Sequence, residues 1–514
     1  MLAFVPLNVT TIAKQWSVND QPWLIEPRTD IVQETLVHAE PDITDGTLAR
    51  FVQMHGPFVH YERVVQRSGH TIAETTEFSV RIPWFGWLFR LLMARFMRRR
   101  SPESQARAWW SPPTTISASE ASILGLLAAA SMLAAFINTL FTQTLTYSSE
   151  EFDISSTGQG LGAAVVRWGI IISIPIAMAA DRIGRRRVMI RLAYIAPVIA
   201  SLGALAPNFG VLVGTQAIGR PLALTLDLLI IVTAAEEMPR NARAYAVSIL
   251  AMASGLGAGV AVAALPLAGL ATWGWRLVFV IALVWLLVAR HLRTSLPETR
   301  RFITALENPH ASKIQFDRIA LIASVAFIGN LFVATASIFQ NEYLKEVRGF
   351  PAWQIALFTT VTAIPASVGL ILGGRIADAR GRRMLAASMI PLGTALVVSS
   401  FSVGGLGMWL SAGTGSVLIA LAYPAMAVYR AELFPTQRRG RAASIITASS
   451  LLGGSIGLIA GGLMIDNGLS YGNVMAILAV GPLTVGLIVL VSYPETAHRE
   501  LEDINPQDRT GSET

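Results

Sequence analysis

Asp181-Arg182-Ile183-Gly184-Arg185-Arg186 recurs 197 positions later as Asp378-Ala379-Arg380-Gly381-Arg382-Arg383. Two further pairs surround it. Glu237-Met238-Pro239-Arg240-Asn241-Ala242-Arg243 is answered by Glu432-Leu433-Phe434-Pro435-Thr436-Gln437-Arg438, with the proline displaced by 196 positions. Pro297-Glu298-Thr299 is answered by Pro494-Glu495-Thr496, displaced by 197. Near-constant offsets at three places mark a parallel internal repeat. Each copy falls in a polar break between long apolar runs, so the repeated unit is a set of helices.

The composition says where those helices lie. Of 514 residues, 53% are hydrophobic and only 14% charged, and the mean hydropathy is +0.52. Soluble chains carry about 25% charged residues. This chain lacks the polar surface for water, which excludes a soluble enzyme, a coiled coil and a disordered segment alike. Apolar runs of spanning length recur at 121–141, 159–180, 188–206, 211–235, 245–267, 276–292, 319–340, 355–376, 385–405, 409–430, 443–464 and 472–492. The expected fold is an all-α membrane protein. Twelve transmembrane helices form two six-helix pseudo-repeat bundles, 118–293 and 319–493. A loop at 294–318 joins them and a tail follows from 494 to 514.

Arginine sets the orientation, since lysine occurs only at 14, 313 and 345. One set of alternate loops holds Arg182, Arg185–Arg187, Arg240, Arg243, Arg293, Arg300, Arg301, Arg380, Arg382, Arg383, Arg438, Arg439 and Arg441. The other set holds Arg276, Lys345 and Arg348. By the positive-inside rule the first set and both termini are cytoplasmic, in an inner-membrane protein. The net charge of +7 is thereby a topology signal and implies no nucleic-acid partner. No cysteine is present, which removes disulfides and thiolate metal sites. The seven histidines show no metal-ligand spacing, and no P-loop occurs, so neither a metal nor another cofactor is expected.

Residues 1–117 read as a small α+β cytoplasmic extension without a signal peptide. Residues 58–66 and 71–82 carry β-formers around the turn Arg67-Ser68-Gly69-His70, which predicts a hairpin. Pro83 then opens WFGWLFRLLMARFMRRR, too short and too arginine-rich to span. It fits an interfacial helix on the inner leaflet, or equally the packed helix of a small domain.

The doubled D-R-x-G-R-R loop, between the second and third helices and again between the eighth and ninth, resembles the signature of the major facilitator superfamily. The likeness extends over roughly 118–500. The leading glycine of the second copy is Gly374, with Ala177 at its counterpart. Val428-Tyr429-Arg430-Ala431-Glu432-Leu433-Phe434-Pro435-Thr436 and the twin Pro-Glu-Thr motifs are similar to sugar porters and metabolite:proton symporters. Ala427 stands where sugar porters carry tryptophan, and the seventh helix lacks the glutamine and tyrosine pairs of hexose carriers. The fifth helix lacks the Gly-Pro pair of drug:proton antiporters. The resemblance implies a twelve-helix transporter working as a monomer by alternating access. It also implies that Asp181, Arg182, Gly184, Arg185 and Glu237, with Gly374, Asp378, Gly381, Arg382 and Glu432, latch the cytoplasmic gate. A motif carboxylate facing a helix N-terminus gains about 0.3–1 kcal/mol when exposed.

Three ionisable residues fall well inside the spans: Arg167, Arg220 and Asp227. Each costs roughly 2.5–3.5 kcal/mol on insertion scales, so function is the default reading of such residues. Helices two and four run the same way, and Arg167 and Arg220 lie about 12–14 Å from their outer ends at 1.5 Å per residue. Asp227 follows Arg220 by seven residues and shares its face. Pro221 frees a backbone carbonyl beside them. Two arginines and a carboxylate suit a small organic anion carried with a proton, or else a structural Arg–Asp network between the two helices. Asn138, Gln143, Gln216, Asn330, Gln340, Asn341 and Tyr423 are candidates to complete the pocket. The leading expectation is a proton-coupled importer of a small organic anion or polar metabolite. A proton-driven exporter of drugs or amphiphiles, and a non-transporting receptor on a transporter fold, are the competing readings.

Overall fold

The computed structural model describes residues 9–17, 19, 21–38, 46–99, 110–112, 114–239, 242–297, 316–434 and 439–497. Among the described residues, twelve helices are long and apolar enough to cross a membrane. The first six run Ala118–Glu151, Ser156–Ala177, Arg185–Leu205, Phe209–Ala234, Tyr245–Gly269 and Trp275–Ser295. The second six run Phe316–Glu346, Ala352–Gly374, Arg382–Ser400, Gly405–Tyr429, Ile445–Asp466 and Tyr471–Ser492.

The first and seventh spans reach well past the expected ends at 141 and 340. The extra turns of the first span, Thr142 to Glu151, are polar in sequence, yet Thr144 and Ser148 are fully buried. The Thr144 hydroxyl donates to the Leu140 carbonyl at 2.8 Å and that of Ser148 to Leu145 at 2.9 Å. Hydroxyls satisfied on their own helix allow a polar stretch to continue inside a bundle.

The repeat is visible in packing. A Cβ at Gly257 of the fifth span would lie 2.1 Å from the Met132 carbonyl oxygen of the first. In the second half, a Cβ at Gly453 of the eleventh span would lie 2.1 Å from the Phe327 oxygen of the seventh. Glycines let these backbones touch, which is how helices associate in lipid, where apolar burial drives little. The repeat is equally clear at the corners. Gly184 and Gly381 stand at φ 105° and 101°, a region that favours glycine, and each begins the following helix.

Inter-residue contacts divide the chain into two compact units. One holds residues 1–129, 231–250 and 294–297; the other holds the rest. The first unit contains a five-stranded antiparallel sheet of β1 (Thr10–Ser17), β2 (Gln33–His38), β3 (Thr47–His55), β4 (Phe58–Ser68) and β5 (Thr71–Val80), in the order β1-β5-β4-β3-β2. The expected hairpin is β4–β5, with Ser68 opposite Thr71 and Gly69 at φ 61° in the turn. Three further strands were not anticipated.

Beneath the sheet lies a buried ion cluster. Arg63, fully buried, donates from Nε and Nη2 to both carboxylate oxygens of Glu34 at 2.8 and 2.6 Å, and from Nη1 to the Leu24 carbonyl at 2.8 Å. Tyr61 also donates to Glu34. Burial pushes the Glu34 carboxyl up, but Arg63, Tyr61 and the Arg28 N–H more than offset it and hold its pKa below the ordinary value.

After the single-turn helix α1 (Gln21–Leu24), helix α2 (Gly86–Arg98) covers one sheet face through Met93 and Met97, which meet Ile12, Val32, Phe58 and Phe78. The packed-helix reading of this segment is therefore right for one of its faces. In the same unit the first span opens with a capping box. The Ser117 N–H donates to Glu120 at 2.7 Å, and the Glu120 N–H to the Ser117 hydroxyl at 3.3 Å.

Candidate functional site

Arg167 stands eleven residues into the second span and Arg220 eleven into the fourth, so both lie about 16 Å along helices running in the same direction. The two helices touch beside them. A Cβ at Gly169 would lie 2.2 Å from the Ala217 carbonyl oxygen and 2.6 Å from Pro221 Cγ. Pro221 lacks the N–H that the Ala217 carbonyl would otherwise accept, which leaves that oxygen facing Gly169. The Ser173 hydroxyl donates to the Pro221 carbonyl at 2.9 Å and completes the junction.

The guanidiniums have few partners. Arg220 Nε and Nη1 and Arg167 Nε are buried with no hydrogen-bond acceptor. The two charges repel each other. Guanidinium is a rigid fork of donors that matches a carboxylate with two bonds. Two buried forks with open donors are costly unless an acceptor joins them.

The second half meets this site through Gly454 of the eleventh span. A Cβ there would lie 2.9 Å from Arg167 Nη1 and 2.8 Å from Asn330 Nδ2 of the seventh span. Asn330 in turn donates to the Ser450 carbonyl at 2.6 Å. Arg167, Asn330 and Gly454 thus bring three helices of both halves to one point.

Asp227 is elsewhere. Its Oδ1 accepts from the Ser131 hydroxyl at 3.0 Å, and Ser131 is 2.7 Å from the Ser254 hydroxyl. No ion pair joins it to Arg220 among the described residues. Seven residues of helix amount to about 10.5 Å of rise, so a shared face does not make a shared site. Among the described residues, no Arg–Asp network joins the second and fourth helices.

The polar candidates divide. Asn341 donates to Gln143 Oε1 at 2.9 Å, which joins the seventh span to the first. Asn138 Oδ1 is buried without a donor. Gln340 is half-buried and Tyr423 exposed. Gln216 donates to the Ala200 carbonyl of the third span at 3.1 Å and so serves packing within the first half.

Two features escaped the sequence reading. Glu342 is buried beyond the expected end of the seventh span and accepts from the Ser156 hydroxyl of the second. Asp466 of the eleventh span accepts from the Thr157 N–H at 2.9 Å. With the Lys345–Glu150 pair and Gln143–Asn341, these contacts tie the two halves together at the end away from the arginine-rich loops. The second feature is Gly454 itself.

At the loop end, Glu495 of the last repeated motif accepts the N–H groups of Arg382 and Arg383 at 3.0 and 3.1 Å, and Arg382 Nη1 donates to Thr496 at 3.0 Å. Partial burial raises the Glu495 carboxyl, but the N–H donors of Arg382, Ala497 and Arg383 bring it below its usual value. A Cβ at Gly381 would lie 2.9 Å from Glu495 Oε2. At Gly374 a Cβ meets only Pro424, at 3.9 Å, whereas at Gly373 it would stand 2.3 Å from the Leu421 oxygen. Close packing in the eighth span thus belongs to Gly373, consistent with alanine at position 177. Gly184 is buried, and Arg185 and Glu237 are half-buried. The side chains of Asp181, Arg182, Asp378 and Glu432 lie outside the described residues, as do residues 298–315 and 498–514.

Among the described residues, twelve spans in two repeated halves, with Arg167 and Arg220 buried inside them, define a multi-pass membrane protein. The Major Facilitator Superfamily profile matches residues 127–419 and 319–510, and the chain belongs to that superfamily. It is 27% identical to the ectoine/proline transporter of Corynebacterium glutamicum over 54% of this chain and 62% of that protein. It is 29% identical to the alpha-ketoglutarate permease of Escherichia coli over 38% of this chain and 47% of that one. The chain thus spans about half the length of the curated relatives it matches. Among solved structures, the inward-open xylose transporter of Escherichia coli superposes with a TM-score of 0.63 at 18% identity, covering 75% of this chain and 99% of that one. A bacterial homolog of the human lysosomal transporter Spinster gives 0.53 at 19%, covering 72% and 94%. These structural likenesses concern the fold.

Proposed function

We propose that the protein imports a small carboxylate-bearing metabolite together with a proton, as a monomer in the inner membrane, with both termini cytoplasmic. The observation that carries this reading is the pair Arg167 and Arg220, buried at equal depth with open donors. A carboxylate entering between them satisfies those donors and offsets their mutual repulsion. The named substrates of two relatives, ectoine or proline and alpha-ketoglutarate, all carry a carboxylate. The positive-inside pattern supports the orientation.

Asp227 supplies the proton site in this reading. It lies in the same span as Arg220, accepts from the Ser131 hydroxyl, and has no cationic partner among the described residues. The contacts joining the halves at the outer end close that side, and the arginine-rich loops with Gly184, Gly381 and the motif carboxylates form the gate at the other.

The test is current on a solid-supported membrane bearing the purified protein, screened against organic acids, sugars and cationic drugs. Acids are expected to give currents that grow as the outside pH falls. Asp227→Asn should abolish the proton-driven current, and Arg220→Ala should abolish binding. Response to hydrophobic cations alone, or normal proton-driven uptake by Asp227→Asn, would overturn the reading.

A further inference from the structure

Helix α2 keeps one face off the sheet. Trp87 is 68% exposed and Leu91 65%, with Leu88 and Trp84 beside them also exposed. These residues occupy the first half of the helix. Arg90 lies among them and is also exposed; Arg95, Arg98 and Arg99 follow, all exposed, and no acidic residue occurs between Pro83 and Arg100. The exposed face is therefore mainly apolar at one end, with Arg90 among its apolar side chains, and wholly cationic at the other.

Its apolar end has a fixed place along the first span. A Cβ at Gly125 would lie 2.8 Å from Ile82 Cγ2 and 3.1 Å from Pro83 Cδ. Gly125 is seven residues past Ala118, about 10 Å into a spanning helix. Ile116 and Ala121 of that helix and its approach pack with Ile82 and Ala242, and Tyr245 donates to the Trp110 carbonyl at 3.1 Å. The segment leading into α2 is thus held two turns deep along an apolar span. Two exposed tryptophans directly after that contact, followed along the helix by arginines, match the chemistry of a bilayer interface: aromatic rings for the acyl boundary, cations for the headgroup phosphates.

We propose that α2 is a membrane-surface site, with Trp84, Trp87 and Leu91 inserted at the acyl boundary and Arg95, Arg98 and Arg99 on the phosphates of anionic phospholipids. The cationic end sets the lipid class. Basic side chains near a negatively charged leaflet add attraction that neutral headgroups do not supply. A protein partner would have no need for the apolar end to lie at the depth of a membrane span.

The absence of cysteine allows the test on the full chain. A spin label at Leu91→Cys is compared with one at His70→Cys, in the turn that precedes β5 and about 30 Å of strand from Val80. Both proteins are placed in nanodiscs of phosphatidylglycerol or phosphatidylcholine, and collision with oxygen and with a water-soluble nickel chelate is read by electron paramagnetic resonance. The label at Leu91 is expected to be oxygen-accessible and nickel-shielded in phosphatidylglycerol, and the label at His70 the reverse. Arg95→Gln/Arg98→Gln/Arg99→Gln should move the Leu91 label toward water, shifting its equilibrium by on the order of 100-fold, about fivefold per arginine. A Leu91 label as aqueous as that at His70 in phosphatidylglycerol overturns the site. A Leu91 label equally shielded in both lipids, and unmoved by the arginine replacements, overturns the assignment to anionic lipid.

Discussion

Gly454→Ala is the smallest change that reaches the arginine site from the opposite half. The added carbon would stand 2.8 Å from Asn330 Nδ2, 2.9 Å from Arg167 Nη1 and 3.0 Å from Ala334 Cβ, where ordinary contact begins at 3.4 Å. The two polar groups must each yield by about 0.5–0.6 Å. Both are the far ends of flexible side chains, and alanine gains up to about 1 kcal/mol of helix propensity over glycine, so the fold should bear the change. Binding should not. A hydrogen bond to a charged group contributes about 1.5–3 kcal/mol, and displacing the guanidinium far enough to lose one weakens affinity by roughly 10- to 150-fold. Equilibrium binding of the substrate found in the transport screen, with thermal stability measured alongside, reads both quantities. Gly413→Ala, where a Cβ meets nothing within 4 Å, is the matched control. In an Arg167→Ala background Gly454→Ala should have no further effect. Equal weakening in both backgrounds would refute the reasoning, as would wild-type affinity in the single variant.

Three further outcomes are expected. Gly381→Ala forces a side chain into φ 101° and against Glu495, and should lower the melting temperature of the purified protein, with a loss of at least about 1–2 kcal/mol. Glu342→Gln keeps a hydrogen bond to Ser156 but removes the charge, and should raise the population of the state joined at the outer end, read as reduced labelling of an outer-cavity cysteine at neutral pH. Ionised Glu34 stabilises the sheet above its unfolded pKa of about 4.3, and this contribution disappears as pH falls through the lower folded value. Wild type should therefore lose sheet signal in acid below about pH 4.3, whereas Glu34→Gln, destabilised throughout, should show a flatter acid limb.

Much of the bundle was legible because a membrane span needs only a long apolar run. Its ends were less so: Glu342 and Gln143 sit in polar turns that remain helical because neighbouring helices bury them, and hydropathy cannot see a neighbour. The β4–β5 hairpin was announced by its Gly69 turn. β1, β2 and β3 were hidden, since what holds β2 to β4 is an Arg63–Glu34 pair 29 residues apart. Arg167 and Arg220 stood out as charges in apolar surroundings. Period alone placed Asp227 with them, but a helical face is a stripe, and the rise along it separates the two groups. Gly454 carries no local signal, since its importance depends on which side chains of the second and seventh spans arrive beside it.

The clasp of Glu495 on the corner at Gly381 also bears on the order in which the chain is made. The backbone amides of Arg382 and Arg383 receive their carboxylate from 113 and 112 positions downstream. At about 5–20 residues per second, the ribosome delivers that group roughly 6–23 s after the corner has emerged. During that interval the ninth span enters the bilayer with its amino end open. The second half is thus assembled with its corner unfastened and is locked only once the motif that follows its last span has been made.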